Sequence, residues 1–290
     1  TSPAEAARII ADQPAIVWLA YSVHGDEISP ADAAMAAARH LLASRDPAVV
    51  GWMANTVVVF VPTQNPDGRE RFLNGNAAAY GTQANPDPLS AERDQTWPGG
   101  RYNHDLFDLN RDWFIQTQPE TRGHAAQIRD WRPQVLVDAH EMGTDDSFFF
   151  PPEAQPLNPW IAPSILQSRE LIGRNTARRF DQQGIPYFNR QVFDAFYPGY
   201  GDGWPGYLGA VSMTYEQASS RGLAARRSSG EILTYRETVR NHLVASLSTI
   251  EAASANHDRL LNAFYDYARD GVAGRGAYIL SAPAWDASAA

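Results

Sequence analysis

The stretch AIVWLAYSVHGDEIS, Ala15 to Ser29, decides how this chain is read. Its first six residues are apolar without a break, too continuous for a half-exposed strand, and predict one buried on both faces, as in a parallel sheet covered by helices. The run gives way to a polar turn that sets His24 and Glu27 three apart. SPADAAMAAARHLLASRD then predicts a helix, with Ser29 as its N-cap and Pro30 at the first helical position. NTVVVFVPTQNPDG predicts a second buried strand closing in Pro, Asn and Gly turn residues. Strand, helix, strand is the opening of an α/β fold.

The same reading extends along the chain. AEAARIIADQ predicts a short first helix, and about Leu73 to Pro98, rich in Gly, Asn, Pro and Asp, a long loop of the kind that carries function. PETRGHAAQIRDWR predicts a helix with acidic residues early and basic ones late, as the helix dipole favours. PQVLVDAHE predicts a third buried strand, APSILQSRELIGRNTARRFDQQG a helix and GAVSMTYEQ a further strand. The segment from Glu231 to Gly271 predicts one long helix or two. The fold class is therefore α/β, with a mixed, mostly parallel central sheet and helices on both faces. Residues 1–270 are expected to form one domain and 271–290 a tail or the start of a following segment, with RGAYILSAPAW reading as a new strand.

Composition narrows the chemistry. With 290 residues, 44% of them hydrophobic, the chain can bury one large core. A net charge of −9 disfavours a nucleic-acid partner. All 24 basic residues are Arg, so lysine-dependent chemistry is excluded, and the absence of Cys excludes thiol nucleophiles and thiolate metal sites. A metal would have to sit on His and carboxylate. No apolar run approaches the length of a membrane span, and no signal-peptide pattern is present.

In open α/β sheets, ligands collect beyond the carboxyl ends of the strands. Four predicted strands deliver polar residues there: His24 with Glu27, Asn65 to Arg69, His140, and Glu216. H-x-x-E alone is a weak signal, and by itself favours a turn with exposed polar groups. A second His at the end of VLVDAH changes the balance, because two His and one carboxylate with an open fourth position form a recurring catalytic zinc set. Glu216, at the end of VSMTYE, is placed to act as general base in a partly desolvated cleft.

In their order along the chain, HGDE, NPDGRER, DLNRDW, VDAH and MTYE resemble the motifs of the zinc metallocarboxypeptidases, or funnelins, over roughly Ile16 to Ala245. The resemblance implies one Zn2+ held by His24, Glu27 and His140, and Glu216 as general base and acid. It implies Asn110 and Arg111 as the grip on a terminal carboxylate. Arg101 is assigned to polarise the scissile carbonyl, with Arg93 as the competing choice, and Tyr197 to cap the bound terminus, with Tyr200 second. Asp202 falls near the position that lines the side-chain pocket, where an acid would favour a basic C-terminal residue. The implied function is removal of a C-terminal amino acid from a peptide, or a small amide with a free carboxylate, by metal-activated water. Alternatives are a relative acting on N-acyl amino acids or cell-wall peptides, or a non-catalytic domain that binds peptide ends. Family habit favours a secreted or periplasmic location.

Two departures stand out. The family places one or two strands ahead of the H-x-x-E strand, where this chain has room only for a short helix, so either the chain is trimmed at its start or the sheet lacks an edge. Asp112 stands where the family often has Asn, either orienting Arg111 or weakening its hold on an anion. Other signals are discounted. GDGWPG matches a dinucleotide fingerprint but leads into a strand. Glu141 should point away from a metal bound by His140, supporting the ligands from outside or serving the structure. His40, His124, His242 and His257 are expected to be surface or packing residues, and His104 has no assigned role.

Overall fold

The computed structural model describes residues 2–274. A five-stranded sheet holds β1 (Ala15–Tyr21), β2 (Thr56–Val61), β3 (Val135–Met142), β4 (Phe148–Phe149) and, beyond the short pair β5 (Ala154–Leu157) and β6 (Asp194–Ala195), the strand β7 (Val211–Ala218). The order across the sheet is β2-β1-β3-β7-β4, parallel except for antiparallel β4 at one edge. A hairpin of β8 (Ala224–Arg226) and β9 (Ile232–Thr234) follows. The helices are α1 (Pro3–Asp12), α2 (Ser29–Ala43), α3 (Pro47–Asn55), α4 (Pro66–Ala79), α5 (Pro119–Trp131), α6 (Pro163–Gln183), α7 (Tyr235–Ala255) and α8 (His257–Ala273).

The unbroken apolar run of β1 serves two cores. Successive side chains of a strand point to opposite faces. Val17, Leu19 and Tyr21 join Ala34 and Leu41 of α2 and Ala245 and Ile250 of α7 in the larger core. Trp18 and Ala20 face the other way, onto Ile128 of α5 and Trp113. Two buried hydroxyls in the larger core are satisfied, Tyr21 by Ser246 at 2.9 Å and Tyr215 by Thr249 at 2.7 Å.

Chain order and spatial order part company at β1. The chain leaves β1 for β2 on one side and returns to β3 on the other, so the switch of direction falls between β1 and β3. Their carboxyl ends open a crevice there, the general location of ligand sites in such sheets.

Several expectations need correction. Ser29 is not the N-cap of α2. The helix already includes it, and its backbone N–H and hydroxyl both donate to the carboxylate of Glu141 on β3. NPDG is not a terminal turn but a helix start: the Asn65 side chain accepts the Gly68 N–H at 2.9 Å and Pro66 sits at the first position, so α4 runs to Ala79 and the long loop begins at Tyr80 rather than Leu73. The unforeseen α3 begins the same way, with Asp46 accepting from Ala48 ahead of Pro47. The C-terminal segment is two helices, one of the two expected arrangements, broken at Asn256, but it starts at Tyr235 rather than Glu231 because Ile232–Thr234 pairs as β9.

Among the described residues only α1 precedes β1, and β2 forms an edge of the sheet. Within them no helix is long and apolar enough to cross a membrane. The strand expected in RGAYILSAPAW lies outside the described residues, while α8 continues through Gly271 to Ala273.

Candidate active site

His24, Glu27 and His140 meet at the switch point, all buried, with potential ligand atoms within 4.8 Å of one another. His24 and Glu27 occupy the turn between β1 and α2, and His140 stands near the end of β3. Glu27 bridges the pair, its Oε1 2.6 Å from His24 Nδ1 and its Oε2 3.0 Å from His140 Nδ1. The far nitrogens are held by outer carboxylates: His24 Nε2 lies 3.0 Å from Asp108 Oδ1, and His140 Nε2 3.0 Å from Asp138 Oδ2. Gln64 steadies Asp138 in turn, donating at 2.8 Å to Oδ1. Carboxylates behind both rings fix their orientation and leave the two Nδ1 atoms for a shared cation. Two imidazoles and one carboxylate, buried around an open side, fit zinc.

The electrostatics agree. Burial alone would lower His24 and His140, yet both are raised, His24 by Glu27 and Asp108 and His140 by Asp138 and Glu27. Burial would raise Glu27, but the two imidazoles outweigh it and hold it far below its usual range. The gap between the rings and Glu27 is a place where positive charge is favoured.

Register brings Glu216 to the same point. In the parallel pair β3–β7, His140 stands directly beside Glu216. Burial pushes Glu216 up to about 8, with Glu27 and Asp138 adding to the rise and His140 and His24 opposing it. A carboxylate poised near neutrality is what proton transfer at ordinary pH requires.

Three motifs are locked together through their glycines. The Gly25 N–H donates to Gly100 O at 2.8 Å. A Cβ on Gly25 would lie 1.9 Å from Arg69 N, one on Gly68 2.3 Å from Gly100 O, and one on Gly100 2.8 Å from Asp26 N. HGDE, NPDG and GGRYN therefore touch backbone to backbone, and Arg101 is carried alongside His24. Its Nε and Nη2 donate to Asp108 Oδ2 at 3.0 and 2.8 Å, and Nη1 reaches 3.4 Å from His24 Nδ1. Arg93 is elsewhere, pairing with Glu92 and donating to the carbonyls of Asn85 and Asp87 to brace the long loop.

The cavity over these groups measures about 400 Å³, and its walls include Arg101, Asn110, Arg111, Tyr200, Asp202 and Glu216. Arg111 lies with its guanidinium carbon 4.6 Å from the centre of the Tyr200 ring. Asn110 Oδ1 accepts the Gly201 N–H at 2.7 Å, and its Nδ2 lies 3.3 Å from His140 Nε2. Asp112 turns away from Arg111: its carboxylate accepts the N–H groups of Thr117 and Gln118, each at 2.9 Å, at the approach to α5. Of the two tyrosines, Tyr200 lines the cavity, whereas Tyr197 is exposed and packs edge-on against Tyr200 at 4.9 Å. Asp202 is buried in the wall. Burial, reinforced by Glu153 and Asp138 and opposed by Arg169, brings it up to about 6. Behind it, fully buried Arg169 pairs with Glu153 at 2.9 Å.

Some members of this network are not singled out by the sequence reading. Asp138 precedes His140 by two on a strand, so the two share a face, a periodicity that identifies it in retrospect. Asp108 belongs to the DLNRDW motif. His242, on α7, is buried and lowered to about 3 by burial, and its Nε2 donates to the His140 carbonyl at 3.2 Å. No local pattern marks it. His124 packs on Trp113, His40 and His104 are exposed, and His257 is half-buried. GDGWPG forms a turn, not a nucleotide loop, with Gly201 so close to Asp138 that a Cβ would lie 2.4 Å from its Oδ2.

Comparison with known proteins agrees with this geometry. Residues 9–147 match the family model of zinc carboxypeptidases, a span that holds every residue above from His24 to His140 but not Glu216. No curated protein matches the sequence. Among solved structures, the fold is similar to that of a metallo-carboxypeptidase from Burkholderia cenocepacia, with 15% identity, a TM-score of 0.57, and coverage of 84% of this chain and 57% of that one. It is similar to a carboxypeptidase A-type protein of Shewanella denitrificans, at 14% identity and TM-score 0.59, covering 84% and 58%. It is also similar to a metallo-carboxypeptidase from Pseudomonas aeruginosa in complex with (2-guanidinoethylmercapto)succinic acid, at 14% and 0.54, covering 86% and 59%. This chain thus spans less than two thirds of those structures. The match to the zinc carboxypeptidase family model runs from before β1 to beyond His140, a little under half of the chain, on a fold similar to that of metallo-carboxypeptidases.

Proposed function

We propose that this chain is a zinc-dependent exopeptidase that removes one amino acid from the free C-terminus of a peptide. The observation that carries the reading is the convergence of His24, Glu27, His140, Glu216, Arg101, Asn110 and Arg111 on a single cavity. A zinc ion bound by His24, Glu27 and His140 would supply Lewis acidity toward the scissile carbonyl and the attacking water. Glu216 takes the proton from that water and returns it to the leaving amine, a role that its raised affinity for a proton favours. Arg101, anchored by Asp108, offers Nη1 to the developing oxyanion. The planar fork of Arg111, stacked on Tyr200, receives the terminal carboxylate bidentately, with Asn110 beside it. Tyr200, rather than Tyr197, closes over the bound end. Asp202 meets the side chain of the departing residue, and when ionised it favours a basic one.

Arg111 makes the reaction end-specific and supplies a test. Charge-assisted hydrogen bonds contribute about 1.5–3 kcal/mol, so Arg111→Ala should raise KM for free-ended peptides roughly 10- to 100-fold while the variant binds zinc as tightly as the parent. An unchanged KM in steady-state assays would remove Arg111 from substrate recognition and, with it, the reading as a C-terminal exopeptidase.

A further inference from the structure

Glu141, beside the centre, accepts four hydrogen bonds, and the proposed reaction does not use it. It follows His140 on β3, so its side chain leaves the strand on the opposite face, toward the start of α2. There it meets donors only. Oε2 accepts the Ile28 N–H at 2.8 Å and the Ser219 hydroxyl at 2.7 Å. Oε1 accepts the Ser29 N–H at 3.2 Å and, more closely, the Ser29 hydroxyl. The backbone N–H of Glu141 meanwhile donates to Glu27 Oε2 at 3.1 Å.

These bonds bracket Glu27. One holds its carboxylate, and the others hold the two residues that follow it, whose N–H groups are among the first donors of α2 and have no partner within the helix. A carboxylate suits them in charge as well, since the helix start is the positive end of its dipole. Ser219 ties the same carboxylate to the end of β7, three residues beyond Glu216. The loop that carries His24 and Glu27, the strand of His140 and the strand of Glu216 are thereby joined at one side chain. An amide could not replace it, because an NH2 in place of either oxygen would face a backbone N–H.

We infer that Glu141 is a positioning residue that holds Glu27 in the geometry required for zinc. The inference rests on His24, Glu27 and His140 being the zinc ligands. Outer-shell changes commonly weaken metal binding about 10- to 100-fold.

The test is zinc affinity by chelator competition on metal-stripped protein, together with thermal unfolding in chelator. Glu141→Ala and Glu141→Gln should each weaken zinc binding about 10- to 100-fold, and Ser219→Ala should do so by a smaller factor. In a Glu27→Gln background, Glu141→Gln should cost no further affinity, because the group it positions is already gone. A merely structural role would lower thermal stability and leave the affinity of the folded variants unchanged, and that result overturns the inference. So does a Glu141→Gln loss equally large in both backgrounds. If Glu141→Ala does not fold, Glu141→Gln and Ser219→Ala decide. A parent protein that binds zinc no better than its His24→Ala and His140→Ala variants would defeat the ligand assignment itself; tight parental binding lost in those variants but kept in Glu141→Gln would defeat only the role of Glu141.

Discussion

Glu216→Gln should lower kcat on a susceptible peptide by about 10²- to 10⁴-fold, the range that a general acid–base residue contributes, and leave zinc affinity within a few-fold of the parent. The amide is nearly isosteric and keeps the wall of the cavity, but it cannot accept the proton of the attacking water. Zinc affinity should be spared because the cluster able to hold the ion is His24, Glu27 and His140, with Glu216 alongside in register. The same substitution has a signature in metal-free protein. Glu216 in the fold titrates at about 8, above its usual 4.5. Between those values the folded chain keeps a proton that the unfolded chain has lost, so this group's contribution to stability declines as pH rises from about 4.5 to about 8. Glu216→Gln removes that decline. Its Tm advantage over the parent in chelator should therefore be larger at pH 8 than at pH 5. Equal Tm differences at both pH values, or undiminished turnover, would take Glu216 out of the mechanism.

Gly25→Ala should abolish the site without touching a ligand. The added Cβ would lie 1.9 Å from Arg69 N and 2.2 Å from Gly68 C, both backbone atoms at the start of α4. Neither can rotate aside as a side chain would, so the turn carrying His24 and Glu27 must move. Forcing a single methyl into such a contact costs on the order of 1–3 kcal/mol or more, and a metal site tolerates only a few tenths of an ångström in its ligands. Zinc affinity should fall by at least about 100-fold, beyond the usual outer-shell loss, with a lower Tm. Gly123→Ala is the control: a Cβ there meets nothing within 4 Å, and its helical setting should make the change neutral or stabilising. A Gly25→Ala variant that binds zinc like the parent would show that the three glycine motifs do not set the ligand geometry.

How much of this could be read from the sequence follows from the range of each interaction. The strands were legible because burial on both faces leaves an unbroken apolar run, as in Val17 to Tyr21. The meeting of His24, Glu27 and His140 was legible because they lie where such runs end, and Glu216 beside them because a parallel register sets strand ends side by side. The start of α2 was misassigned because its first N–H groups are satisfied by Glu141, more than a hundred residues away, while Ser29 has the composition of a local cap. The length of α4 was missed because its Gly and Asn residues are poor helix formers, whereas the Asn65 cap and Pro66 start it firmly. Tyr197 and Tyr200 differ by three residues in a loop without periodicity, so only the fold shows which one faces Arg111. His242 depends on packing between distant segments, which leaves no local mark.

The most direct test of the central claim is to incubate the zinc-supplemented protein with matched peptides, one set ending in free carboxylates and the other in amides, and to follow their masses over time. Loss of a single C-terminal residue from the free-ended set alone, fastest for Arg or Lys ends, is the expected result. Unchanged masses in both sets with zinc bound, or equal cleavage of the amidated set, would contradict a C-terminal exopeptidase and turn attention to N-acyl amino acids or to peptide-end binding without turnover.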